Sequence, residues 1–263
     1  MKLIVNARVL PVSAAPIENG AVLVDGTKIA GVGEHLGAPE GTEIIDARGL
    51  TLTPGLVDAH THITTCGEME LYGMSDINEM TNPVTPGLSI LDSIYVRDKS
   101  VAESREKGGV TCVQTLPGSA NVIGGTGAII KLKRASVVEE MLVKSPSCMK
   151  AALGENPIRV YKDNGHRTPT TRMGNAYIMR KALQDARNYL EKKKCRKDGE
   201  AFETNLDMEA LSLVLDRKIK LSVHSHRADD IFTAIRLAKE FDLDYVLVHC
   251  TEGHLIAQEL AEE

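Results

Sequence analysis

From Leu56 onward, short apolar runs alternate with helical stretches, and histidines fall where several of those runs end. Leu56–Ala59, Val110–Leu116, Ala128–Leu132, Cys148–Leu153, Ile219–Val223 and Tyr245–Val248 read as strands: brief, rich in Val and Ile, and bounded by turn residues. Leu88–Lys107, Arg172–Lys194, Asp207–Arg217, Asp229–Phe241 and His254–Glu262 read as helices, the longest with Thr170 or Thr171 as N-cap. This order predicts parallel strands joined by right-handed crossovers, so the chain must build an α/β fold. Doubly wound sheets and barrels both satisfy it.

The first 54 residues differ. Leu3–Val5, Ala21–Val24, Lys28–Val32 and Thr42–Ile45 are strand-like, with Gly20, Asp25-Gly26, Gly33 and Gly41 between them. Asp25-Gly26 is the strongest hairpin signal. Pro54-Gly55 marks the entry to a second domain over 55–263. Net charge is −5, and the longest basic run is Lys192–Lys197 at a helix end, which argues against nucleic-acid binding. Trp is absent, so aromatic stacking platforms are improbable. Asn6 and Arg8 interrupt the first apolar stretch before a signal-peptide core forms, and no run has the ~18–20 apolar residues of a membrane span. The five cysteines form no CxxC, which points to a reducing, cytoplasmic setting rather than a disulfide framework.

The sharpest motif is Pro54-Gly-Leu-Val-Asp-Ala-His60-Thr-His62. Histidines at i and i+2 on a strand turn their rings to one side, and neutral imidazoles ligate zinc-class ions. His224 ends the run Ile219–Val223, and His249 ends Tyr245–Val248. Alone, either would be a satisfied strand-end histidine; together the four fall where barrel active sites collect.

At these residues the sequence resembles the amidohydrolase superfamily, in its imidazolonepropionase-like and prolidase-like branch. The likeness spans nearly the whole chain: the N-terminal β segment, the lead-in Asp46–Gly55 and the site residues as far as His249. It implies a (β/α)8 TIM-type barrel with one or two divalent metals at its mouth, zinc first among them, and a small β-sandwich beside it that the N-terminal strands share. On this likeness His60, His62, His224 and His249 are metal ligands, with His226 a weaker substitute for His224 and otherwise a substrate contact. A bridging anion is also implied, either a carboxylated lysine or a glutamate. Glu155, after Ala151-Ala-Leu-Gly, is the expected bridge, and Lys150 is the rival placed too far down its strand. Asn121, Arg172 and Arg227 are candidate substrate contacts, the arginines through bidentate bonds to a carboxylate. His166 and His254 are given no role.

The implied reaction is hydrolysis of a carbon–nitrogen bond, amide or cyclic amide, by a metal-activated hydroxide on a small-molecule substrate. The family's proton-transfer aspartate lies on the last barrel strand. No visible Asp fits that place, and six strands are visible where the family has eight. The expectation is therefore an incomplete barrel, with the general base beyond residue 263 and homo-oligomer formation left open. The alternatives are a catalytically inert metal-binding fragment and a deaminase of the same superfamily. Ser225–Asp230 lacks the glutamate that the deaminases carry after the fifth-strand histidine.

Overall fold

A computed structural model describes residues 1–66, 75–163, 167–197 and 201–263, in two compact units, Met1–Leu56 and Val57–Glu263. In the first, β1 (Lys2–Val9), β2 (Ile17–Asp25), β3 (Lys28–Gly33), β4 (Glu43–Asp46) and β5 (Thr51–Leu52) form one sheet, ordered β3-β2-β1-β4 with β5 also on β1. Asp25 pairs with Lys28, and Gly26 takes φ +56° at the first turn position, where a tight hairpin needs glycine. Ala7, Val9 and Val22 form a small buried core with Ile17, Val24, Ala47 and Leu52 against them.

The second unit holds two four-stranded sheets. One is ordered β10-β9-β7-β6, from β6 (Leu56–Thr61), β7 (Val110–Thr115), β9 (Ala128–Lys131) and β10 (Leu142–Lys144). The other is ordered β13-β12-β11-β8, from β8 (Ile123–Thr126), β11 (Cys148–Ala152), β12 (Lys220–Ser225) and β13 (Tyr245–His249). β11, β12 and β13 are parallel, as the alternation predicts, while β8 runs antiparallel to β11 and β9 antiparallel to β7. Among the described residues the strands form separate sheets rather than one closed barrel.

Helices α2 (Glu155–Asp163), α3 (Arg172–Lys194) and α4 (Leu206–Leu215) connect β11 to β12, and α5 (Ala228–Phe241) connects β12 to β13. Strand alternation sorts the two faces of this sheet. Met149, Ala151, Leu221 and Val223 share one buried cluster with Met179, Leu183 and Ala186 of α3, Leu211 and Val214 of α4, and Leu237 and Phe241 of α5. Each large side chain buried there contributes about 1.5–3 kcal/mol. The intervening residues Lys150, Ala152, Ser222 and His224 therefore share the opposite face, with Lys150 beside Ser222 and Ala152 beside His224.

Three expectations need correction. The stretch Leu88–Lys107 is not one helix but a short 3₁₀ turn, Ile90–Ser93, followed by α1 (Lys99–Glu106). Ser89 Oγ accepts from Leu91 N and Asp98 Oδ1 from Ser100 N, so two side chains restart the backbone. The stretch after Glu155 is a helix instead of a break, because Pro157 falls in the first turn, where its missing N–H has no helical partner to lose. Before α6 (Ala257–Ala261), Gly253–Ile256 is a separate 3₁₀ turn. Among the described residues no helix is long and apolar enough to cross a membrane.

Candidate metal centre

The structure brings five histidines together. His60 lies one residue before the end of β6 and His62 directly after it, with ring centroids 5.2 Å apart. His224, one residue from the end of β12, stacks edge-on against both His226 and His249, at 4.5 Å each. His60 meets His249 at 5.1 Å, and His226 lies 5.4 Å from His249. His226, expected in the turn, thus lies in the same cluster.

Backbone irregularity makes the cluster possible. His249 pairs with Ser225, so a regular pleat would turn it away from the face carrying His224. Instead His249 and Cys250 adopt φ +70° and +46°, a conformation non-glycine residues rarely take. Cys250 N–H donates to Ser225 O at 2.9 Å and Val248 O at 3.0 Å, holding the reversal in place. Thr64, buried just past His62, has φ +74°, also uncommon for a β-branched residue. Such strain persists where surrounding structure over-determines it.

Lys150 is fully buried on the face that carries His224, and its Nζ has no hydrogen-bond partner among the described residues. Burial holds the ammonium pKa down, at about 8. The same desolvation, reinforced by the positive charge of Lys150, lowers His60 and His224 to about 3 and also lowers His62 and His249. These imidazoles are therefore neutral at pH 7, the form that ligates metal. His62 Nδ1 lies 2.8 Å from Leu116 O; a proton donated there leaves the Nε2 lone pair free.

The remaining candidates lie in other roles. Glu155 is exposed in the first turn of α2 rather than at a strand end, 3.6 Å from Arg172. Arg172 donates from Nε to both oxygens of buried Asp230, each at 3.1 Å. Gly154 closes this corner at φ +80°, where a Cβ would approach Asp230 Oδ2 to 2.6 Å. Arg227 forms a bidentate pair with Asp229 at 3.0 and 2.9 Å. Asn121 is buried, and its Nδ2 donates to Glu79 O, Asn82 O and Thr85 Oγ1, which fastens one loop to another. His254 Nδ1 lies 3.1 Å from Thr251 O, while His166 is outside the described residues. Asn156 had no signal in the sequence, yet its Nδ2 lies 3.0 Å from His224 Nε2.

Comparison with known proteins decides the family. A family model described as "Amidohydrolase family" matches residues 43–85, which include the paired histidines of β6. The crystal structure of an amidohydrolase from Thermotoga maritima MSB8 superimposes with a TM-score of 0.93 at 45% identity, covering 100% of this chain and 68% of that one. The chain belongs to the amidohydrolase family. An amidohydrolase of Hapsidospora irregularis, TasK, is 31% identical over 91% of this chain and 27% of its own length. A dihydroorotase of Citrifermentans bemidjiense is 33% identical over 46% of this chain and 23% of its own length. This amidohydrolase chain thus spans about a quarter of the length of those two curated relatives.

Amidohydrolases are in general metal-dependent, and the donors here suit a divalent ion. His60 Nδ1 and Nε2 and His224 Nδ1 are buried without hydrogen-bond partners among the described residues, and in a neutral His60 one of the two nitrogens offers a lone pair that a cation would satisfy. As they stand, no three His, Cys, Asp or Glu side chains among the described residues converge on one ion position. An open cavity of about 500 Å³, lined by Gln114, Ser147, Val246 and Val248, reaches His60 and His249.

Proposed function

We propose that this chain carries the metal centre of a hydrolase that opens carbon–nitrogen bonds in small-molecule amides, cyclic amides among them. The observation that carries this reading is the histidine cluster together with a buried lysine that has no hydrogen-bond partner among the described residues. His60, His62, His224 and His249 would hold one or two divalent ions, zinc first. An ion there supplies Lewis acidity, polarising a substrate carbonyl and lowering the pKa of bound water to about 7. The same proposal includes a barrel architecture and a reducing cytoplasm, the latter in keeping with cysteines spaced without any CxxC.

Lys150 replaces Glu155 as the proposed bridge. An ammonium among metal-binding imidazoles has the wrong charge for a cation site, and a buried unpaired charge is costly. Attack of the neutral amine on CO₂ forms an N–C bond and releases a proton, so the side chain ends as an anionic carbamate. The local charge then changes from positive to negative, as two neighbouring metal cations would require. Glu155 is already engaged by Arg172. Asp58 Oδ1 accepts from His60 N, and Glu252 Oε2 accepts from Ala228 N at the start of α5, so one oxygen of each carboxylate is engaged by backbone.

The test is a screen of zinc-loaded chain against linear N-acyl amides and five- and six-membered cyclic amides, with the dihydroorotase relative motivating the latter. Ion-dependent ring opening or amide cleavage, abolished by chelation and restored by zinc, is the expected result. Release of ammonia from an aromatic amine instead would favour the deaminase alternative. Binding of zinc with no turnover of either kind would favour the inert metal-binding alternative.

A further inference from the structure

Asn156, in the first turn of α2, places Nδ2 at 2.7 Å from Ser119 Oγ and 3.0 Å from His224 Nε2. The backbone of the same connection is fixed to the same residue, because Leu153 N–H donates to His224 O at 2.9 Å. The stretch between β11 and α2 therefore grips His224 twice, once by its carbonyl and once by its ring. The other ring nitrogen, Nδ1, is buried with no partner among the described residues.

Two proton arrangements satisfy these heavy-atom distances. With the amide nitrogen facing the ring, Nε2 accepts and a neutral imidazole carries its proton on Nδ1. That arrangement points an N–H into the cluster and leaves no lone pair there. With the amide turned over, the oxygen accepts both from Nε2–H and from the Ser119 hydroxyl, and Nδ1 presents its lone pair inward. Only the second arrangement lets His224 ligate a cation from its buried nitrogen. Ser119 suits both, since a hydroxyl can donate or accept.

We infer that Asn156 is a positioning residue for the metal centre: its carboxamide oxygen holds His224 as the Nε2–H tautomer and so delivers Nδ1 to the ion. The inference rests on the metal-centre reading above. Outer partners of this kind typically tune metal affinity by about 10–100-fold.

The experiment titrates cobalt(II) into chelator-treated wild type, Asn156→Ala, Asn156→Leu and Asn156→Asp, following the visible absorption of the bound ion. Alanine and leucine, which lack an acceptor, should weaken binding by about 10–100-fold, while aspartate, which keeps one, should stay near wild type. The leucine variant preserves bulk if alanine disturbs the fold. Nitrogen NMR of the metal-free forms should show His224 as the Nε2–H tautomer in wild type and Asn156→Asp, and a mixture in the other two. Unchanged cobalt affinity in Asn156→Ala and Asn156→Leu, or an aspartate variant as weak as alanine, would overturn the inference while leaving the metal centre intact. A wild type that takes up no cobalt would overturn the metal-centre reading itself.

Discussion

Replacing His60 and His62 together by alanine should strip the chain of bound divalent metal. Losing even an orienting partner of a ligand costs about 10–100-fold in affinity, so losing two direct ligands should cost about 10³-fold or more. Hydrolysis should fall at least in parallel, since the ion supplies the Lewis acidity. The fold should survive: both residues lie at the end of β6, outside the apolar cluster that joins α3, α4 and α5 to the sheet. Metal analysis after dialysis, paired with circular dichroism, reads both quantities. Undiminished metal in a folded double variant would remove this pair from the site.

Lys150→Met should produce opposite effects on stability and on metal content. In chelator-treated chain free of CO₂, the ammonium is buried at 0% exposure with no hydrogen-bond partner among the described residues. A methionine of similar length removes that charge, so the variant should be more stable than wild type at pH 7 by about 1–3 kcal/mol. The sign follows from the depressed pKa. Between about 8 in the folded chain and 10.5 unfolded, the unfolded state holds the extra proton, so wild-type stability rises with pH and the advantage of methionine shrinks. With metal present the ranking should reverse: the variant should hold at most one ion, and turnover should fall by about 10²-fold or more. Denaturant unfolding at pH 7 and pH 10, with zinc titration of both chains, measures these terms. Glu155→Gln should leave the stoichiometry unchanged. A reduced stoichiometry there, with Lys150→Met unaffected, would return the bridge to Glu155.

Much of the scaffold was legible because its signals are local. Thr171 Oγ1 accepts from Gly174 N, and the helix runs over Arg172–Lys194, as its cap and composition predict. The strand-end positions of His60, His62, His224 and His249 were readable from β-branched runs and their turn residues. What was not legible depended on contacts distant in sequence or on backbone reversals. Counting back from Glu155 puts Lys150 too far down its strand, but β11 ends at Ala152, and Lys150 lies only one same-face step below the level of His224. The reversal at His249 and Cys250 leaves no mark in composition. Neither does the contact of Asn156 with His224, which joins residues 68 positions apart. Nor does the pairing of Arg172, a candidate substrate contact by sequence, with buried Asp230, 58 positions away.

X-ray absorption of the zinc-loaded chain tests the central claim most directly. Imidazole and carbamate ligands predict a first shell of nitrogen and oxygen at about 2.0–2.2 Å, with the outer scattering of several histidine rings. A shell dominated by sulfur at about 2.3 Å, which would place the ion on cysteine, or the absence of any tightly held zinc, would contradict it.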